Sequence, residues 1–250
     1  MHGDLWAAAQ LAVEEANRAV DGAGLSFELL PRWSETVWGT GVAEVARMVY
    51  EDDVLAILGS VDGSSTHLAE QIVAKARLPL VSPVSGDDSI QLAGVPGLFS
   101  VAPGDSQWTA ARARRLRETV GGGRVATVSV RDHDSRLAAR ALLDALAALD
   151  SAPARRLDLR PGETDLGPRL ERLDLAGHAA LLLVAGPKDG VRILEAVRAT
   201  GFTGPIFGGP RLARRRCLES PAAEGLRVPL MGRPSDGGDV ADFAERFRQK

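Results

Sequence analysis

Residues 54–85 read VLAILGSVDGSSTHLAEQIVAKARLPLVSPVS. Val54 to Leu58 is an apolar, β-rich run, followed by the small-residue turn Gly59-Ser60-Val61-Asp62-Gly63-Ser64-Ser65-Thr66. A helical pattern extends from about Ser64 to Arg77, with Leu68, Ile72 and Ala76 spaced to share one face. A second apolar run, Leu78 to Val81, ends in another small polar turn, Ser82-Pro83-Val84-Ser85-Gly86. Strand, loop, helix, strand and loop make one βαβ unit. Both loops leave the carboxyl ends of their strands, where open parallel sheets bind ligands.

Upstream of this unit, Leu5 to Val20 reads as a helix with an apolar stripe and Gly22 as its C-cap. Leu25 to Leu30 alternates as a strand stopped by Pro31, a loop carries Trp33 and Trp38, and Val42 to Tyr50 is a helix. Downstream, helices are expected from Ser106 to Val120, Leu137 to Leu149, Asp165 to Leu173, Val191 to Ala199 and Val240 to Arg248. Strands are expected at Val125–Val130, Arg156–Leu159, Ala179–Val184, Pro205–Phe207 and Leu226–Met231. Alternating strands and helices imply parallel sheets with helices on both faces. Two such sheets fit, one on each side of about Pro103.

Composition narrows the function. The 250 residues are 45% hydrophobic and 25% charged, ordinary for a chain that buries a core. A net charge of −3 argues against a general nucleic-acid binder. The single cysteine, Cys217, excludes an internal disulfide and a CxxC metal site. No apolar run is long enough to span a bilayer, and the N-terminus lacks the charged and apolar regions of a signal peptide.

The order of these motifs resembles the type I periplasmic binding proteins, the substrate-binding proteins of branched-chain amino-acid ABC transporters. Leu58-Gly59 with Gly63-Ser64-Ser65-Thr66, then Val81-Ser82-Pro83, stand where that family has a strand ending in Ile-Gly, a Ser/Gly/Thr loop and a strand ending in Ser-Pro. Phe99 to Gln107 is similar to the family's crossover into its second lobe, and Leu11 to Asn17 to its first helix. The resemblance runs from about Leu11 to Met231. It implies an α/β fold of two Rossmann-like lobes with parallel sheets, truncated at both ends: a first lobe over 1–103 lacking its first strand, a second over 104–232, and a crossover helix beginning at 233–250. The missing strand lies at the centre of the family's first sheet, so a gap is expected there. A small-molecule ligand and a membrane permease are the implied partners, with no cofactor, no nucleic acid and no membrane insertion. The implied location is periplasmic or extracytoplasmic, the leader having been lost or lying outside this chain.

For the site, free N–H groups at a helix start beside hydroxyls suit an anion, which marks Gly63, Ser64 and Ser65. Ser64 or Ser65 serves equally as a helix cap. Val84, Ser85 and Gly86 match the family loop that holds the ligand's α-amino and carboxylate groups, with Gly86 where the family has threonine. Asp87 and Asp88 follow, as further contacts or as caps. In the second lobe Asp134 stands near a place the family gives to an aromatic residue, and Gly186-Pro187 replaces another. Arg211 takes the place of an acid that pairs with a ligand ammonium. A cation there repels an ammonium and attracts a carboxylate, so the expected ligand is a small acid or another molecule without a free ammonium rather than a simple branched-chain amino acid, within the small polar or acidic, amino-acid-like class that the resemblance implies. A solvent-facing Arg211 near Arg214, Arg215 and Arg216 is the alternative. Trp33 and Trp38 are candidates to stack on a ligand or cover the sheet.

Catalytic signatures are absent: no GxxxxGK, HExxH or GxSxG, and only the fragment Gly39-Thr40-Gly41 of a glycine-rich loop. His2, His67, His133 and His178 show no ligand spacing along the chain. Asp62, Ser64 and His67 lie on one turn, which does not create a triad's geometry. Arg112, Arg114, Arg115 and Arg117 read as a solvated helix face. The expected function is solute binding for an ABC transporter, without catalysis. The alternatives are a ligand-sensing domain of a regulator or receptor and, last, a Rossmann-like enzyme.

Overall fold

The computed structural model describes residues 3–20, 24, 26–34, 40–230 and 238–249. They divide into two compact units, Met1–Trp33 with Leu230–Lys250, and Ser34–Pro229.

In the smaller unit, helix α1 (Gly3–Ala19) contacts helix α10 (Asp239–Arg248), and Glu15 pairs with Arg246. The strand expected from Leu25 to Leu30 does not form over 26–30. Both backbone groups of Phe27 are spent on the Asn17 side chain, whose amide donates to the Phe27 carbonyl at 2.9 Å and accepts from its N–H at 2.7 Å. One side-chain amide thus takes the place of a neighbouring strand. Trp33 packs edge-on against Trp6 at 6.1 Å and is half exposed. Gly22 and Trp38 lie outside the described residues.

The larger unit holds both sheets. The first contains β1 (Ile57–Leu58), β2 (Leu80–Ser82) and β3 (Leu98–Ser100), parallel and in that order. Helices α2 (Val42–Tyr50), α3 (Gly63–Ala76) and α4 (Ser89–Leu92) belong with it. Ile57, Ala69, Val73 and Leu80 form its small core, with Val45, Met48 and Val49 of α2 packed against it. Among the described residues β1 pairs on one side only, where its sequence favours a longer strand beginning at Val54. Leu55 and Leu58 are correspondingly exposed.

The second sheet is larger: β4 (Val125–Val130), β5 (Arg155–Leu159), β6 (Ala180–Val184), β7 (Ile206–Gly208) and β8 (Leu226–Arg227), parallel in the order β5-β4-β6-β7-β8. Every residue of β4 and β6 is buried, as a strand covered on both faces requires. Their side chains alternate between two cores. Ala126, Val128, Val130, Leu181 and Leu183 join one with α8 (Pro187–Ala199). Val125, Leu182 and Val184 join the other with α5 (Asp105–Val120) and α6 (His133–Ala147). The remaining short helices are α7 (Gly167–Glu171) and α9 (Arg215–Leu218). Helix α6 begins four residues before the apolar stripe at Leu137, because Asp132 caps it. Chain order reverses between β4 and β6, so their connections leave on opposite faces and open a crevice at the strand ends.

One surface expectation is overturned. Arg114, Arg115 and Arg117 are exposed, but Arg112 is 7% exposed. The buried positions of α5 are Asp105, Thr109, Arg112, Ala113 and Leu116, spaced as one helical face. Arg112 falls on that face and is carried inward.

Leu182 is fully buried between β4 and β7, whereas Leu55 is 84% exposed. Leu182→Ala is expected to cost about 2–5 kcal/mol in urea unfolding, and Leu55→Ala to stay within about 0.5 kcal/mol.

Candidate functional site

The crevice is built from four strand-end connections. Two come from the first sheet, β1 to α3 and β2 to α4; two come from the second, β4 to α6 and the turn after β7.

Asp62, rather than Ser64 or Ser65, caps α3. Its extended backbone turns its carboxylate to accept from the Ser65 N–H at 2.8 Å, with the Ser65 hydroxyl also on it. Gly63 is then the first helical residue, and its N–H donates to Asp134 Oδ1 at 2.9 Å, across 71 residues of sequence. A Cβ at Gly63 would collide with Asp134 and with Asp87, so only glycine lets both carboxylates approach. Ser64 is half-buried at the next position, and its N–H and hydroxyl meet no partner among the described residues.

In the second connection Ser85 is buried and accepts from the Asp87 N–H at 3.4 Å. Gly86 presents its carbonyl to the Asp105 N–H at 2.7 Å, and Val84 is half-buried beside them. Asp88 does cap a helix, but one from the other sheet: its carboxylate accepts from Ser106 N–H at 2.9 Å and Ser106 Oγ at 3.1 Å, at the start of α5. Asp87 is fully buried at its side chain and takes the Ser89 N–H and hydroxyl on Oδ1, 2.9 and 2.6 Å away. Its Oδ2 faces His133 Nε2 at 2.8 Å and His67 Nε2 at 3.2 Å.

From the second sheet, Asp132 caps α6 by accepting from Ser135 N–H at 3.0 Å. Arg211 sits on a 3₁₀ turn anchored by the fully buried Leu212. Its guanidinium reaches Asp132 at 3.1 Å, Asp134 at 3.6 Å and Ser135 Oγ at 3.2 Å. Arg211 is therefore not solvent-facing, and its charge is already matched by two carboxylates. Arg211 is thus not the unmatched cation that its place in the sequence suggests: its surroundings are acidic.

These contacts set the protonation. Burial pushes Asp132 up, but Arg211 and the Ser135 bonds outweigh it and hold the acid below its ordinary value. Burial raises Asp134; Arg211 opposes this, and the carboxylates of Asp62 and Asp132 add to it. Burial also depresses Arg211, yet Asp132 and Asp134 bring it above its ordinary value. Asp105 is pushed up to about 7, foremost by burial, against the pull of Arg112. Arg112 is itself lowered to about 10 by burial, with Asp105 opposing. Facing groups with both charged forms disfavoured indicate a pair that burial penalises more than mutual attraction repays. Arg112 Nε and Nη2 indeed find no partner among the described residues.

Thus Gly63, Asp134 and Arg211 are brought together, and Ser64 and Ser65 follow within the same first turn of α3. Val84, Ser85 and Gly86 form the neighbouring wall against Asp105. The sequence reading missed the Asp62 and Asp132 caps, although each opens an Asp-x-x-Ser tetrad, 62–65 and 132–135. It also missed the meeting of His67, Asp87 and His133, which no spacing along the chain reveals. His67 bonds Glu70, Ser89 and Asp87 rather than Ser64, so no triad forms with Ser64.

The chain belongs to the periplasmic binding protein family, whose model, described as "Periplasmic binding protein", matches residues 2–250. It is similar to an amino acid binding protein of Pseudomonas aeruginosa, 23% identical over 237 residues, covering 95% of this chain and 56% of that relative. The chain thus spans little more than half the length of the curated relative it matches. Among solved structures it resembles a leucine binding protein from Thermotoga maritima, with TM-score 0.87 and 22% identity over 98% of this chain and 70% of that one. It also resembles a branched-chain amino acid transporter substrate binding protein from Streptococcus pneumoniae in complex with isoleucine (TM-score 0.85, 18% identity, 98% and 71% coverage). A solute binding protein of an R. palustris ABC transporter, in complex with benzoate, superposes similarly (TM-score 0.84, 14% identity, 98% and 69% coverage). These structural likenesses establish the type I periplasmic binding fold. Among the described residues no helix is long and apolar enough to cross a membrane.

Two outcomes follow from the geometry. Gly63→Ala drives Asp134 and Asp87 off the α3 terminus; hydrogen exchange is expected to accelerate over 63–66 and 133–136 while β4 and β6 stay protected. For Asp105, the folded value of about 7 exceeds the ordinary 3.8. Between them the folded state keeps a proton the unfolded chain has lost, so stability falls as pH rises through that window. Urea midpoints at pH 5 and pH 8 are expected to differ more for the wild type than for Asp105→Asn.

Proposed function

We propose that this chain is a solute-binding protein of an ABC transporter, capturing a small amino-acid-like or acidic molecule between its two sheets and presenting it to a membrane permease from an extracytoplasmic compartment. The observation that carries this reading is the Gly63 N–H held by the Asp134 carboxylate, with Arg211 behind it. A solute carboxylate suits the same helix start, where Gly63 and Ser64 offer N–H groups and Ser64 offers a hydroxyl, the Ser65 hydroxyl being held by Asp62. It competes with Asp134 for that place. Asp134, once displaced, is free to receive a solute ammonium, while Arg211 remains neutralised by Asp132. Val84, Ser85 and Gly86 close the first-sheet side. The relatives named for leucine, isoleucine and amino acids in general support an amino-acid-like solute; the benzoate complex supports a plain acid.

Thermal unfolding with a panel of amino acids and matched acids lacking the ammonium tests this. A cognate solute at a hundred times its Kd is expected to add about 2.7 kcal/mol. Asp134→Asn is expected to weaken an amino acid at least about tenfold while sparing the matched acid. A folded protein that no member of the panel stabilises at about 10 mM overturns the reading.

A further inference from the structure

We propose that His67, Asp87 and His133 form a site for one divalent transition metal ion of the zinc type, clipping α3 and the β2–α4 connection to the start of α6. This goes beyond the solute-binding reading and does not rest on it.

Among the described residues this is the one cluster of three such ligands, and the three donor atoms lie within 4.8 Å of one another. Each donor is already aimed. Asp87 has its Oδ1 occupied by Ser89, which leaves Oδ2 as a single directed oxygen. His133 Nε2 and His67 Nε2 converge on that oxygen at 2.8 and 3.2 Å. Tetrahedral zinc with bonds of about 2.0–2.2 Å spaces its ligand atoms roughly 3.3 Å apart, so shifts of about half an ångström suit the two Asp87 pairs, and the two imidazoles close by at most about 1.5 Å to seat the ion.

The outer contacts fit as well. His67 Nδ1 lies 2.9 Å from the Oε2 of Glu70, which is 5% exposed. A carboxylate on one ring nitrogen holds the proton there and turns the other nitrogen's lone pair towards a metal. That lone pair faces Asp87 Oδ2 at 3.2 Å and Ser89 Oγ at 2.9 Å. The Ser89 hydroxyl spends its one proton on Asp87 Oδ1. With the Nδ1 proton turned to Glu70, His67 Nε2 looks onto oxygen lone pairs alone, an arrangement that a positive charge between them completes. Either a second ring proton or a metal ion supplies it. Two neutral imidazoles with Asp87 make a ligand set typical of zinc, and Glu70 supplies the second negative charge. The carboxylate is buried while the imidazoles are 28% and 35% exposed. An ion there has a path from solvent and a remaining coordination position for water or a solute donor.

The test is calorimetric titration of the metal-stripped full chain with Zn²⁺ alone, with Co²⁺ as a spectroscopic substitute. Expected are one equivalent bound, a cobalt spectrum of tetrahedral intensity, and a loss of at least about a hundredfold in affinity for His133→Asn. Glu70→Gln, which touches only the His67 ring, is expected to lose about 10–100-fold. Circular dichroism establishes that each variant is folded. Uptake weaker than about 0.1 mM overturns the proposal, as does binding that survives the double His67→Asn/His133→Asn substitution, which would mark adventitious metal. No uptake together with nitrogen shifts showing a doubly protonated His67 ring identifies a hydrogen-bonded network instead, and also overturns it. None of these outcomes bears on solute binding, which is read with metal-free protein.

Discussion

One hydrogen bond organises the crevice: the Gly63 N–H on Asp134. It joins the first turn of one helix to the first turn of another in a different sheet. Its existence depends on a missing atom, since any Cβ at Gly63 meets two carboxylates. The donor is one that every helix leaves unsatisfied at its start, and the positive end of α3 favours the negative group it receives. The short approach it makes accompanies that of Asp87 to His133, while Arg211 reaches Asp132 and Asp134 from within the second sheet's own loops.

The scaffold behind that contact is stiff where it must be. Strands β4 and β6 are buried along their whole length and alternate their side chains between two apolar cores. Their ends cannot shift without disturbing both cores, so the Asp132 cap that follows β4 is fixed in place, and the fully buried Leu212 anchors the Arg211 turn after β7. The first sheet is thinner, with three strands and a small core. The less rigid side thus carries α3 and the β2–α4 loop, and the more rigid side carries the charged groups they meet.

Charge balance gives the crevice its chemistry. Asp62, Asp87, Asp88, Asp105, Asp132 and Asp134 surround two arginines and two histidines. Five of the six have an assigned partner: helix starts for Asp62, Asp88 and Asp132, Arg211 for Asp134, imidazoles for Asp87. Asp105 and Arg112 are the least satisfied, each held away from its ordinary protonation by burial. The carboxylates of this region outnumber its arginines, and burial raises two of them, Asp105 and Asp134, towards the neutral form.

Periodicity along the chain was enough to determine the alternation of strands and helices, the doubly buried strands and the small-residue turns at their ends, because these depend on neighbours within a few residues. The inward turn of Arg112 was misread as solvated, although its place on the Thr109, Ala113 and Leu116 face is a local signal of burial. The Asp-x-x-Ser starts of α3 and α6 were local signals as well. Tertiary structure alone decided the rest. Phe27 gave up its strand to Asn17, ten residues away. Arg211 found its acids 79 residues upstream, and His133 reached Asp87 across 46. Such pairings depend on which loops two sheets bring face to face, a relation that no spacing within one segment encodes.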